Sequence, residues 1–365
     1  MKKILALTLV LITVFMLGGC NKYKPVKSTK EESRVVMTVN IGGDEYDVRY
    51  ELYRALFLNY KEYVDGGDGS VWSGDDAQKY VDEINEIIIY HVAEIYSVFS
   101  FAKELGIDSF SKEIDGEIES RIETSVESVE ALGGFDGDYD AYLSSLKAGN
   151  LNYSVQVLML RYRIMLEKIN EYYVGTEDEV LGALPGNFEF TKEDVKNFYE
   201  SDECARFLHA FVGKNKMKDA KGHADALRDK ILNTDSEINI ALLIINNTTA
   251  VESDLIVGKK LSGITLGKAS ISDGIYETYR DAAFSLDAGE LSEVIEVGGS
   301  EPGYCLIYAL EKNDEHFERC YESVKNAYLD NAIGKKLATL ANSAVSGAEF
   351  TKEYDTVVHG GISMD

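Results

Sequence analysis

The chain has 365 residues, too many for one small domain, so we expect two or three domains. Its 63 acidic and 37 basic residues give a formal net charge of -26, which opposes binding to nucleic acid and to anionic surfaces. Apart from Cys20, the cysteines are Cys204, Cys305 and Cys320. They are odd in number and form no CxxC pair, so neither a disulfide framework nor a zinc site is indicated.

The N-terminus has the pattern of a secretory signal. Lys2 and Lys3 precede an apolar run that is too short to span a bilayer, and small residues follow it. The tetrad Leu17-Gly18-Gly19-Cys20 resembles a bacterial lipobox, which implies a signal peptide at 1-19 and a lipid on Cys20. The alternative is an ordinary secretory signal in which Cys20 is incidental. The polar segment 20-34 is then a lipidated tether on the extracytoplasmic face of the cell membrane, and no later stretch is apolar enough to span it.

Residues 35-202 are predicted to be mainly helical. A short hairpin opens this segment, with strands at 35-41 and 45-48 joined by Gly42-Gly43. Helices follow at about 49-63, from the cap at Ser73 to Gly106, and at 112-132, 139-146 and 153-173. Capping boxes are expected at Ser73 with Asp76 and at Thr191 with Asp194, and the segment 174-187 between them breaks the helical pattern as a possible hinge.

At residue 203 the sequence changes from mainly helical periodicity to a mixture of strand and helix patterns. Strands are predicted at 205-212 and 303-310, and helices at 219-232 and 276-284, while the type of the apolar element at 238-245 stays open. Helical periodicity returns at 315-346. An α/β module at 203-312 therefore lies between two helical segments, the second of which is 313-365.

Two stretches of this module resemble parvulin-type prolyl isomerases. The first is Ala205-Arg206-Phe207-Leu208-His209-Ala210-Phe211-Val212, similar to the opening parvulin strand. The second has Ala-Phe-x-Leu at 283-286, Gly-Glu-x-Ser at 289-292 and a closing strand at 303-307. Together with the flanking helices, the order resembles extracellular foldase lipoproteins of the PrsA and SurA type. The resemblance implies an α+β fold in which helices on both sides of an inserted parvulin-like domain form one chaperone lobe.

The resemblance also implies a set of site residues. His209 matches the family's histidine on the first strand, while Cys305 stands where the family has a second histidine, and Asn247 or Thr248 stands near its Asp or Cys. The walls of the proline pocket would be Leu266, Ile275, Tyr279 and Phe284. Each residue also has a plainer interpretation: a buried histidine on a central strand for His209, a small buried hydrophobe for Cys305, and ordinary core for the walls.

Three functions remain open at this stage. The first is a foldase that accelerates rotation about X-Pro bonds in secreted polypeptides, which needs an apolar pocket and polar groups that favour the twisted amide. This reaction involves no covalent step, so no metal or organic cofactor is implied. The second is a holdase with an inactive isomerase domain, because Cys305 cannot complete a pair of histidines. The third is a solute-binding lipoprotein, for which two similar βα-rich lobes would be expected. The expected partners are unfolded or newly secreted polypeptides, with the membrane contacted through the lipid alone and a homodimer possible.

Overall fold

The computed structural model describes residues 23-178, 182-249, 263-270, 275-298 and 302-364. Cys20 and the signal peptide lie outside the described residues. In the part of the chain that is described, no helix is both long enough and apolar enough to cross a membrane.

The described chain forms two compact units. The α/β unit is Tyr172–Lys335, and the helical unit consists of residues 23-171 and 336-364. These borders differ from the predicted ones at 202/203 and 312/313, because residues on either side of the predicted module pack with it. The division into a chaperone lobe and an insertion stays a prediction.

The helical unit begins with two strands and continues as helices. Strands β1 and β2 are antiparallel, and a third strand, β9, pairs with the other edge of β1, giving the order β2-β1-β9. The elements are β1 (Val35–Ile41), β2 (Asp44–Arg49), α1 (Tyr50–Asp65), α2 (Ala77–Glu104), α3 (Lys112–Glu127), α4 (Tyr139–Ala148), α5 (Tyr153–Val174, ending in the α/β unit) and β9 (Glu349–Phe350).

The predicted hairpin is confirmed. Gly42 and Gly43 have φ angles of 61° and 87°, a left-handed conformation that residues with a Cβ rarely adopt. This turn pairs Ile41 with Asp44 and fixes the register of β1 on β2. The buried side of α2 repeats at helical spacing through Ile84, Ile88 and Val92 and continues to its end, which explains its length of 28 residues.

The α/β unit contains a four-stranded antiparallel sheet with the order β6-β5-β8-β7. Its elements are β3 (Gly175–Asp178), β4 (Gly182–Pro185), α6 (Lys192–Glu200), β5 (Cys204–Gly213), α7 (Ala220–Leu232), α8 (Glu237–Asn247), β6 (Ile264–Gly267), α9 (Ile275–Ser285), β7 (Ile295–Val297), β8 (Gly303–Ala309), α10 (Asp314–Arg319) and α11 (Tyr321–Val345, ending in the helical unit). With its helices and small antiparallel sheets the chain is α+β, as predicted.

Three local expectations need correction. Ser73 does not cap α2, because it lies in a 3-10 turn (Gly69–Ser73) and Asp76 itself is the N-cap residue. The segment 174-187 contains the β3-β4 hairpin, and α3 ends at Glu127 instead of near 132. The capping box of Thr191 and Asp194 is present with both of its hydrogen bonds, as predicted.

The second half of the predicted tether packs on the helical unit. Ser28 donates a hydrogen bond to the carboxylate of Glu51, and Glu32 accepts one from Arg54 at 2.8 Å. Burial opposes ionisation of Glu32, but hydrogen bonds from Thr29, Asn152 and Arg54 outweigh it and lower the pKa of this carboxyl to about 2. Residues 28-34 are therefore part of the folded body, which leaves fewer residues for a free tether than the predicted segment 20-34.

Candidate functional site

The candidate site lies on the sheet of the α/β unit, around the central strand β5. Alternation along β5 separates two apolar faces. On one face Phe207 and Phe211 pack with Cys305 and Ile307 of β8 and with Ala283 of α9. On the other face, residues of β5 and β8 pack against α7 and α8 (Leu208, Ala210, Leu306, Leu227, Ile231, Ile240, Ala241 and Ile244).

His209 and Cys305 lie on the same face of the sheet but not directly opposite each other. His209 pairs with Ile307, and Cys305 pairs with Phe211, two positions further along the ladder. His209 is 8% exposed, so its ring belongs to the buried part of the unit. The register of β5 on β8 therefore makes diagonal neighbours of the two positions that the sequence resemblance singled out.

The thiol of Cys305 is a neutral group in apolar surroundings. Cys305 has no exposed surface, and burial raises its pKa well above the usual value for a thiol. Its Sγ lies 3.8 Å from the carbonyl oxygen of Leu306, a weak contact. At neutral pH it offers the site neither a negative charge nor the strong acceptor that a histidine ring provides.

Asn247 and Thr248 lie at the C-terminal end of α8, next to the edge of β5. The amide of Asn247 donates back to the carbonyl of Leu243 at 2.7 Å, within its own helix. The hydroxyl of Thr248 accepts from the backbone N–H of Phe211 at 3.1 Å. These bonds fix the end of α8, and a catalytic role for either residue stays a prediction.

Thr249 was missed by the sequence analysis. Its backbone N–H donates to the carbonyl of Phe211 at 2.7 Å, and its hydroxyl accepts from the N–H of Gly213 at 2.7 Å. The pair of threonines thus occupies the edge of β5 beyond the point where β6 ends, since β6 pairs with β5 only from Cys204 to Phe207. Two successive threonines after an apolar run are the signal that could have indicated this role.

The predicted pocket residues are placed on two elements. Leu266 lies on β6, is buried, and belongs to the cluster around Phe207 and Phe211; Phe284 on α9 is half-buried and packs against the same cluster. Ile275 and Tyr279 lie on α9, but their side chains are outside the described part of the structure. A role of these four residues in holding a proline ring stays a prediction.

The Gly-Glu-x-Ser segment is fastened to β8. Gly289 has a φ of 88°, and its N–H donates to the carbonyl of Ala309 at 2.9 Å. Ser292 donates its N–H to the carbonyl of Ile307 at 2.8 Å, and its buried hydroxyl accepts from the N–H of Ile307 at 2.9 Å. The motif therefore continues the sheet next to Ile307, the residue of β8 that pairs with His209. Its glycine takes the left-handed conformation and its serine makes the two bonds to Ile307, which explains these residue types at this spacing.

The aromatic rings of β5 fill the face that carries His209. A Cβ at Gly303 would lie 2.5 Å from the ring of Phe211, so glycine is required there for the ring to cover the strand. The alternation Phe207, His209, Phe211 in the sequence is the signal for this packing. The face is a filled core at these positions.

The described residues contain no paired cysteines and no cluster of metal ligands. Burial raises the pKa of the Cys204 thiol to about 12, and Cys204, Cys305 and Cys320 are all unpaired thiols. Among the described residues, no three His, Cys, Asp or Glu side chains lie where they could hold a metal ion.

Comparisons with known proteins find similarity to solved structures. No family model and no curated protein matches the chain. Among solved structures it is similar to foldase protein PrsA from Streptococcus pneumoniae, with 18% identity over 74% of this chain and 84% of that chain and a TM-score of 0.32. The chain resembles PrsA foldases.

Two further PrsA structures are similar to it over most of its length. PrsA from Bacillus subtilis has 16% identity over 86% of this chain and 93% of that chain, with a TM-score of 0.25. PrsA from Lactococcus lactis has 13% identity over 91% of this chain and all 100% of that chain, with a TM-score of 0.26. Both are PrsA proteins, one of the two types that the order of sequence motifs resembles.

Proposed function

We propose that this protein is an extracytoplasmic chaperone of the foldase kind, anchored through Cys20, that binds unfolded secreted polypeptides. The observation that carries the proposal is the arrangement around β5. The parvulin-like opening strand and the Gly-Glu-x-Ser segment, about 80 residues apart in sequence, meet through hydrogen bonds to β8. Residues that resemble one family at separate points of the sequence thus form one structural unit.

Binding is better supported than catalysis. Rotation about an X-Pro bond faces a barrier of about 18–20 kcal/mol, and a site lowers it with polar groups aimed at the twisted amide. In this unit the neighbour of His209 is the buried, neutral thiol of Cys305. We therefore favour a holdase whose isomerase-like unit contributes little or no acceleration.

Isomerisation remains the second candidate, because His209 is present on the central strand. The topology of the sheets argues against the third alternative, a solute-binding protein. The described residues of the α/β unit form a four-stranded antiparallel sheet and a small hairpin, instead of the two similar βα-rich lobes that this alternative needs.

Two measurements on the mature chain separate these functions. We expect no acceleration of cis-trans isomerisation of a proline peptide above the uncatalysed rate, together with suppression of aggregation of a chemically unfolded client. His209→Ala should change neither result, and His223→Ala, which alters a histidine on α7 of the same unit, serves as the control.

Acceleration that is lost in His209→Ala and kept in His223→Ala would establish the isomerase in place of the holdase. A wild-type chain that neither accelerates isomerisation nor protects the client would refute the foldase proposal. The anchor has its own test, since Cys20→Ser should release the protein from the membrane fraction of the producing cells.

A further inference from the structure

A groove in the helical unit lies beside the outer edge of β2. It has a volume of about 520 Å³, in the range of sites that hold one large side chain or a small ligand. Its wall on one side is β2 and on the other the segment that follows α2, and it is lined by Asp44, Glu45, Tyr46, Phe99, Lys103 and the residues 106-110. Phe110 at its rim is 63% exposed, which is unusual for a phenylalanine.

The outer edge of β2 is open to an incoming backbone at one residue. In the sheet order β2-β1-β9, the described residues place β2 on the outside. Ile41 and Asp44 pair across the two-residue turn. Residues that flank such a turn exchange hydrogen bonds, so the backbone groups of the alternate residues Glu45 and Asp47 point away from β1. The carbonyl of Asp47 accepts from the hydroxyl of Tyr96 at 3.0 Å, which agrees with this assignment. Glu45 is then the position where an incoming backbone would pair.

The apolar wall opposite this edge is held in place. The ring of Phe110 lies 6.1 Å from that of Phe99, and the guanidinium of Arg161 covers it at 4.8 Å. Arg161 also donates to the carbonyl of Ser109 and, at 2.7 Å, to the carboxylate of Asp115. The exposed ring therefore has a defined orientation before anything binds, which reduces the entropy that binding would cost.

The rim of the groove is negatively charged. Lys103 is paired with both carboxylate oxygens of Asp44 at 2.7 Å. In the described part of the chain no ion pair engages Glu45, Asp47 or Asp108, and all three residues are exposed. The charge around the groove thus favours a partner with basic residues.

We propose that this groove binds an extended segment of an unfolded polypeptide. Its backbone pairs with β2 at Glu45, one aromatic or large aliphatic side chain enters the groove against Phe110 and Phe99, and basic neighbours face the acidic rim. Addition of a strand to a sheet edge derives affinity from the backbone and selectivity from the side-chain pocket. The inference rests on the proposed function, since it names the chemistry of the client segment.

The test uses the mature chain and a fluorescein-labelled peptide that alternates Lys and Thr around a central Phe. Phe110→Ser should weaken binding about tenfold or more, while Leu132→Ser, at a leucine that is 82% exposed elsewhere in the unit, should leave it unchanged. Both positions are exposed, so both variants should fold, as circular dichroism can verify. Replacing the central Phe by Ser, or the Lys residues by Glu, should weaken binding to the wild-type chain comparably.

Equal affinity of the wild-type chain and Phe110→Ser would overturn the groove proposal, and so would undiminished binding of the Glu peptide. If the wild-type chain still suppresses client aggregation in that case, the proposed function stands without the groove. A wild-type chain that neither binds the peptide nor protects the client refutes both.

Discussion

One histidine of each unit, His209 and His359, shows how different the surroundings of this residue type are in the two units. In the α/β unit, His209 lies on a sheet face filled by aromatic rings and by the thiol of Cys305. In the helical unit, half-buried His359 lies 3.0 Å from the hydroxyl of Tyr53 and 3.2 Å from that of Tyr354. Apolar side chains surround His209, whereas the ring of His359 lies within hydrogen-bond distance of two hydroxyls.

A hydrogen-bonded network connects His359 to two tyrosines and one asparagine. Asn85 accepts from the hydroxyl of Tyr53 at 2.9 Å and donates to the hydroxyl of Tyr354 at 2.6 Å. Nε2 of His359 lies within hydrogen-bond distance of both tyrosine hydroxyls, and the tautomer of the ring decides whether it donates or accepts. The network joins α1, α2 and the C-terminal segment. The polar cluster around His359 thus has a structural role. His209, which resembles a catalytic histidine, lies instead in a packed core.

The largest expected effect concerns the packed face of the α/β unit. Phe207 is fully buried between β6, β8 and α9, so Phe207→Ala should lower the free energy of unfolding of this unit by about 3–5 kcal/mol. Hydrogen exchange of the β5 and β8 amides, together with urea unfolding, measures it. Tyr63→Ala, at a tyrosine that is 81% exposed, is the control and should change stability by about 0.5 kcal/mol or less. A loss of under about 1 kcal/mol in Phe207→Ala would mean that this face is not a core.

A smaller effect is expected at the hydrogen-bonded cluster, as a dependence on pH. Burial lowers the pKa of His359 below its usual value of about 6.5, because the imidazolium is disfavoured there. Below about pH 6.5 the unfolded chain takes up a proton that the folded chain resists, so stability is complete above this pH and falls as the pH drops. The charged groups near Tyr354, Asp82 and Asp355, act on its hydroxyl.

The measurement is hydrogen exchange of the Thr351 amide, which is bonded to the carbonyl of Val36 at 3.0 Å and reports on docking of the C-terminal segment. Between about pH 7.5 and 5.5 the wild-type chain should lose up to about 1 kcal/mol more protection than His359→Gln, which does not titrate. Identical pH dependence in the two chains would show that His359 does not titrate with docking.

The sequence predicted the local elements better than the contacts between them. The hairpin follows from Gly42-Gly43 and the start of α6 from Thr191, because turn and cap chemistry act within a few residues. The apolar run at 238-245 could not be assigned, and it is a helix whose inner side packs on the sheet while Ile238 and Leu242 stay exposed. A continuous apolar run does not distinguish a helix from a buried strand.

The candidate site was predictable to the extent that family motifs cover it. The motifs placed His209 and Cys305 on neighbouring strands, and the register puts them on one face. The hydrogen bonds of Thr249 to β5 depend on how α8 ends against the sheet. The groove beside β2 depends likewise on the tertiary placement of Phe110, for which single-sequence patterns carry no signal.

The smallest effect, which leaves stability unchanged, is the reactivity of the thiols. Alkylation acts on the thiolate, and burial both raises the pKa of Cys305 and blocks access to it; Cys204 is almost as buried, with a pKa of about 12. We expect mass spectrometry of the native chain after iodoacetamide treatment to show modification at half-buried Cys320 and protection of Cys204 and Cys305, with all three modified after unfolding in urea. Rapid native modification of Cys305 would mean that the His209 face opens to solvent. The thiol would then be accessible to a client's prolyl segment, and the preference for binding over catalysis in this unit would lose its basis.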